Sequence, residues 1–98
     1  MKNINSTKII DKIEERKKDI IKYGVKKIGL FGSFIKGKHH TKSDIDLLVD
    51  FDKPGFDEYI ELKFMLEKIF GRKVDLILIK NIKPALKYVK KEAIYAKL

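Results

Sequence analysis

Two apolar runs in this chain, Ile45–Phe51 (IDLLVDF) and Lys73–Ile79 (KVDLILI), enclose carboxylates where only apolar side chains would be expected. Their β-branched and aliphatic content predicts two strands. An acid inside such a strand is costly unless it is hydrogen-bonded, paired or metal-bound. The chain must therefore fold so that these acids reach water, a partner or a cation, and this restricts the fold more than any other feature. Asp44 and Asp46 are two residues apart. A strand has period two, so their carboxylates project from one face, roughly 6–7 Å apart along the chain. Asp75, between Val74 and Leu76, joins them if the two strands are neighbours.

The rest of the pattern fits a small mixed α/β (α+β) domain. Asn5-Ser6-Thr7 supplies candidate helix caps, and Ile9, Ile10, Ile13, Ile20 and Ile21 form a helical stripe that Gly24 can end. Lys17 falls on the same stripe, where its long stem can lie along the apolar face. Val25–Phe31 predicts a first strand, and residues 34–37 a short helical turn. Tyr59, Leu62, Leu66, Ile69 and Phe70 recur at steps of three and four, with Asp57 and Glu58 in the first turn and Gly71 at the end. Pro84 predicts the start of a last helix carrying Leu86, Val89, Ala93 and Ile94. Tyr88 and Tyr95 on that helix are expected in the core. The expected order is α-β-(α)-β-α-β-α around one small sheet.

Ninety-eight residues are enough for a single domain, 1–98. The absence of cysteine excludes disulfides, Cys-zinc sites and thiol catalysis. Residues 1–8 lack the apolar stretch of a secretory leader, and no run approaches the roughly 18 apolar residues of a membrane span. A cytoplasmic protein without membrane contact is expected. The net charge of +9 points towards nucleic acid, but its distribution does not. Residues 28–55 hold four bases and four acids, so the basic excess lies on the flanking, mostly helical segments. Only Arg16 and Arg72 among the 23 bases are arginine, and bidentate phosphate or guanine clamps favour arginine. Nucleic acid is possible as a partner but not favoured. Lys18, Lys22, Lys26 and Lys27 read as a solvated basic face.

Gly32-Ser33 follows the first apolar strand directly. Alone, a Gly-Ser pair is a turn. Here glycine permits close backbone approach, and amides at a helix start with a serine hydroxyl suit phosphate. Each acid alone reads as a strand cap facing water. Three of them in two strands form a set of hard oxygen ligands suited to Mg²⁺. The pair His39-His40 reads as solvated loop. Asp50 continues the alternation from Asp46, and Asp52 belongs to the following turn.

The segment Phe31-Gly32-Ser33-Phe34-Ile35-Lys36-Gly37, then five residues, then Ser43-Asp44-Ile45-Asp46-Leu47-Leu48-Val49, resembles the minimal nucleotidyltransferase (MNT) family. That family belongs to the DNA polymerase beta / kanamycin nucleotidyltransferase superfamily. Asp75 in Val74-Asp75-Leu76 matches the family's third acid, and the tail from Lys83 to Tyr95 is similar to its closing helix. Lys36 departs from the arginine of many members and loses the bidentate fork. The resemblance covers about residues 25–95. It implies a polymerase-beta-palm-like sheet packed with helices. It also implies two Mg²⁺ ions held by Asp44, Asp46 and Asp75, with ATP as substrate. Gly32, Ser33, Lys36 and Ser43 would bind the nucleotide, and Asp75 would also act as base. Members this small resemble the antitoxin half of HEPN/MNT toxin–antitoxin pairs. The implied partner is then a HEPN-domain toxin in a hetero-oligomer, and the implied reaction is adenylylation of its tyrosine. A non-catalytic binding antitoxin and an RNA 3′-end nucleotidyltransferase are the alternatives.

Overall fold

A computed structural model describes residues 4–37, 43–53 and 55–98. The elements run α1 (Ser6–Glu15), α2 (Lys17–Lys22), β1 (Val25–Phe31), α3 (Ser33–Lys36), β2 (Ile45–Phe51), α4 (Phe56–Phe70) and β3 (Val74–Leu78). Two 3-10 turns (Ile79–Asn81 and Pro84–Leu86), α5 (Tyr88–Glu92) and β4 (Ile94–Tyr95) complete the chain. The strand order is β3-β2-β1-β4. β2 pairs antiparallel with β1 and parallel with β3, and β4 pairs antiparallel with β1. The parallel pair requires a crossover, which α4 supplies.

Local chemistry explains most boundaries. The Asn5 side chain accepts a hydrogen bond from the Lys8 amide at 2.9 Å and caps α1. Gly71 ends α4 with φ +64. Asp57 and Glu58 stand in the first turn of α4, where the helix dipole favours acids. The single predicted N-terminal helix is two helices broken at Arg16, and Lys17 faces solvent rather than the core.

Register divides the sheet into two faces. Ile28, Leu30, Ile45, Leu47, Val49, Val74 and Leu76 point to one side and are buried. Ile9, Ile13 and Ile20 from α1 and α2, with Leu62, Leu66 and Phe70 from α4, join them in one core. All three long helical stripes therefore cover this face. The opposite face carries the rows Phe31–Asp46–Asp75 and Tyr95–Gly29–Leu48–Ile77, read across neighbouring strands. No helix stripe is buried against it, and this is the face on which the acids stand.

The C-terminal segment differs from expectation. In place of one helix from Pro84 there is a 3-10 turn, a five-residue helix and a short strand. Ala93 turns extended (φ −61, ψ 144), and Ile94 and Tyr95 then pair with Leu30 and Gly29. Tyr88 and Tyr95 are not core residues; they are 50% and 36% exposed. The Tyr95 ring lies flat over Gly29, where a Cβ would come within 2.8 Å of ring carbon Cδ1, and its hydroxyl donates to the Lys90 carbonyl at 3.0 Å. Gly29 is therefore the residue that lets β4 close the sheet. No helix among the described residues is long and apolar enough to cross a membrane.

Leu47 is fully buried at the centre of the sheet. Leu47→Ala is expected to cost about 2–5 kcal/mol, the range for emptying a well-packed leucine site. A shift of the urea midpoint at constant slope measures it.

Candidate active site

Asp46 and Asp75 are register partners on the parallel strands β2 and β3, so their side chains leave the open face side by side. Asp44 lies just before β2. Phe31 is the β1 partner of Asp46, and Gly32-Ser33 follows it at once. The structure thus brings Gly32, Ser33, Asp44, Asp46 and Asp75 to one end of one face. Lys36 is exposed at the end of α3, and Ser43 is half-buried beside Asp44. His39 and His40 lie outside the described residues.

No polar or charged side chain among the described residues is buried. Asp44 and Asp75 are exposed and Asp46 is half-buried, whereas Leu48 on the same face is buried where Leu86 and Val89 of the C-terminal segment line a cavity with it. The apolar neighbours of Asp75 in sequence point to the other side of the sheet or flank it along the strand.

Gly32 meets two demands. Its backbone (φ +82, ψ −145) lies close to the region that only glycine occupies readily. A Cβ there would overlap Asp46 Oδ2 and stand 3.2 Å from the carboxylate carbon. The Gly-Ser turn and the central acid are therefore in direct contact, and a side chain at position 32 would displace the acid.

Asp46 has its pKa raised from 3.8 to about 6, first by burial, then by the negative charges of Asp75 and Asp44. The acids repel one another across an open space. Among the described residues no three His, Cys, Asp or Glu side chains close into a ready-made metal cage. The donors are nonetheless all carboxylate oxygens, and their repulsion is what a hard divalent cation relieves. The open face leaves room for waters or phosphate oxygens to complete such a shell. Asp44, Asp46 and Asp75 are the residues that could hold Mg²⁺.

Sequence reasoning missed Arg72. Its Nη1 donates to the Ser43 carbonyl at 3.1 Å, and its guanidinium carbon lies 5.5 Å from the centre of the Phe34 ring. Phe34 is buried directly after Ser33, and Ser43 directly precedes Asp44. One side chain therefore ties the Gly-Ser segment to the acid segment, three residues before Asp75. The available signal was an arginine, rare in this lysine-rich chain, set between a helix-ending glycine and an acid-bearing strand. Below it, the Ile45 amide donates to the Lys73 carbonyl at 3.0 Å, and Glu67 Oε2 accepts the Val74 amide at 3.0 Å. These bonds start the β2–β3 pairing.

A four-stranded mixed sheet with helices on one face, and three acids beside a Gly-Ser turn on the other, is the arrangement of nucleotide-transferring enzymes. The nucleotidyltransferase domain family matches residues 7–97, and the chain belongs to it. It is similar to the Methanocaldococcus jannaschii protein MJ1379, whose name marks it as a provisional protein adenylyltransferase. The two are 48% identical over 95 residues, covering 93% of this chain and 91% of that protein. It is 40% identical over 76 residues to the protein adenylyltransferase MntA of Thermococcus cleftensis, covering 76% of this chain and 77% of MntA. Among solved structures, one described as a minimal nucleotidyltransferase superposes with a TM-score of 0.73 at 26% identity, covering 96% of this chain and 98% of that one. A toxin–antitoxin structure with AMP-PNP superposes with a TM-score of 0.59 at 26% identity, covering 74% of this chain and 62% of that one. The chain is a nucleotidyltransferase.

Two outcomes follow from the geometry. The folded chain holds a proton on Asp46 that the unfolded chain releases between its ordinary value of 3.8 and about 6. Stability contributed by that proton is complete below pH 4 and is lost as the pH rises through about 6. Asp46→Asn is therefore expected to be more stable than the parent above pH 6, by about 1–2 kcal/mol after solvent screening. The two melting temperatures should converge below pH 4. Arg72→Ala is expected to cost about 1–3 kcal/mol for the lost charged hydrogen bond and ring contact, and Arg72→Lys should recover only part of it. Denaturant titration of the three proteins compares them.

Proposed function

We propose that this chain is a protein adenylyltransferase that transfers AMP from ATP to a tyrosine hydroxyl of a HEPN-type toxin and so acts as its antitoxin. The observation that carries the reading is the contact of Gly32 with Asp46, itself paired in register with Asp75. A phosphate-sized turn and an acid cluster then border one open space. The similarity to proteins named as adenylyltransferases supports the donor chemistry. The toxin–antitoxin structure with AMP-PNP supports ATP as donor and a toxin as partner.

In this reading Asp44, Asp46 and Asp75 would hold Mg²⁺, two ions in the family pattern, which would supply charge neutralisation for the triphosphate. Gly32 and Ser33 receive the β- and γ-phosphates at the start of α3, with Lys36 and Ser43 at the edges of the same space. Asp75 is exposed, so an incoming hydroxyl can reach it. Its carboxylate takes the proton as the tyrosine oxygen bonds to the α-phosphorus. The bond from that phosphorus to the bridging oxygen breaks, and pyrophosphate leaves. Arg72 keeps the Gly-Ser and acid segments in a fixed relation through the step. The acceptor arrives as a separate folded protein, and a cytoplasmic setting supplies both ATP and partner.

Incubation with Mg·ATP and a HEPN-type protein should add the mass of AMP to that protein at a tyrosine. Asp44→Ala should lower the rate roughly a hundredfold or more, the scale of losing one charge-stabilising group. An unchanged partner mass, or labelling that survives Asp44→Ala, contradicts the proposal. Intact-mass spectrometry reads both.

A further inference from the structure

The chain from Ile79 to Tyr95 lies beside the open face, yet no residue of its two turns, α5 or β4 is buried. Two of its apolar side chains on this side stay exposed: Leu86 and Tyr88 are 47% and 50% exposed. The charge here is one-sided. Residues 80–98 hold six lysines, no arginine and one acid, Glu92. Among the described residues none of these lysines takes part in an ion pair. The patch also adjoins the site. Leu86 and Tyr88 share a cavity of about 200 Å³ with Gly32 and Lys36, and Leu86 and Lys83 border a second of about 230 Å³ with Leu48 and Ile77.

From this we infer that the C-terminal face is the docking surface for the acceptor, and that the acceptor presents an acidic protein surface there. The inference rests on the adenylyltransferase reading for the nature of its occupant. Leu86 and Tyr88, exposed and flanked in sequence by Lys83, Lys87, Lys90 and Lys91, have the composition of a protein interface, with charges that steer approach and apolar groups that hold. Six lysines against one acid in this segment make an acidic surface the electrostatically complementary one. RNA fits less well. Arginine is the preferred phosphate clamp and is absent here. A partner seated on Leu86 and Tyr88 stands next to the Gly32 cavity, so docking brings its side chains towards the transfer site.

The test uses the full chain and an acidic, tyrosine-bearing polypeptide, the random copolymer poly(Glu,Tyr), with binding read by fluorescence anisotropy. Lys87→Glu/Lys90→Glu/Lys91→Glu reverses the face. Lys17→Glu/Lys18→Glu/Lys22→Glu changes the net charge equally on the exposed side of α2. The face variant is expected to bind at least about tenfold more weakly, the control within about threefold of the parent, and both should bind Mg·ATP as the parent does. Glutamine at residues 87, 90 and 91 should give an intermediate loss, which keeps the comparison intact if the glutamate variant folds poorly. Equal weakening by both triple variants, or none by the face variant, overturns the inference. So does tighter binding of a 20-nucleotide single-stranded RNA that is lost in the face variant. Transfer of label from α-labelled ATP to the copolymer is scored separately. Absence of nucleotide binding by the parent counts against the adenylyltransferase reading, whereas transfer without face-dependent binding counts against the docking surface.

Discussion

The parallel pairing of β2 with β3 sets Asp46 opposite Asp75, and the remainder of the architecture is arranged around that pairing. Two carboxylates side by side repel, and burial first, then the charges of Asp75 and Asp44, raise the pKa of Asp46 to about 6. Such a pairing persists only if other interactions outweigh it. The rows on either side do so: Ile45 with Val74 and Leu47 with Leu76 are buried on the opposite face. Each buried aliphatic side chain contributes about 1.5–3 kcal/mol, more than one strained acid costs at an open surface. A one-residue slip would send the acids into the core and the aliphatic side chains into water, so the register is strongly fixed.

That register also couples the two halves of the site. Asp46 leans against the Cα of Gly32, so the acid and the phosphate-sized turn cannot move independently. Arg72 repeats the coupling from below, through Ser43 and Phe34. The site is made of segments far apart in sequence, joined by the packing of Gly32 against Asp46 and by the contacts of Arg72. This is the preorganisation that charge-stabilising catalysis requires.

Strands β1, β2 and β3 and helix α4 were legible from the sequence because each has a long, uninterrupted period and a local stop signal. The acids and the Gly-Ser turn were legible because their spacing puts them on one face of strands whose adjacency follows from the crossover. The C-terminal segment was not. Leu86, Val89 and Ile94 have near-helical spacing, but what decides Ile94 and Tyr95 is an unpaired β1 edge and a glycine that leaves space for a ring. Both are non-local, and Gly29 in an apolar strand was the one trace of them. The apolar neighbours of Asp75, Val74 and Leu76, face the helix-covered side of the sheet, whereas Asp75 faces the other. Arg72 acts through a backbone carbonyl and a ring 29 and 38 residues earlier, which local patterns do not encode.

The net charge of +9 takes on a different meaning once the chain is folded. The causes that raise Asp46 all have the same sign, and no lysine appears among them. Screening limits exposed charges to about 10 Å at ordinary ionic strength. Two fields result. One is local and negative, set by three carboxylates, and suits a cation. The other is broad and positive, set by lysines on the helices and the C-terminal face, and draws anionic matter towards the protein. Had the lysines reached the acids, they would have filled the role of the cation and left the site with less demand for one. The separation of the two fields lets a strongly basic chain keep an acidic centre.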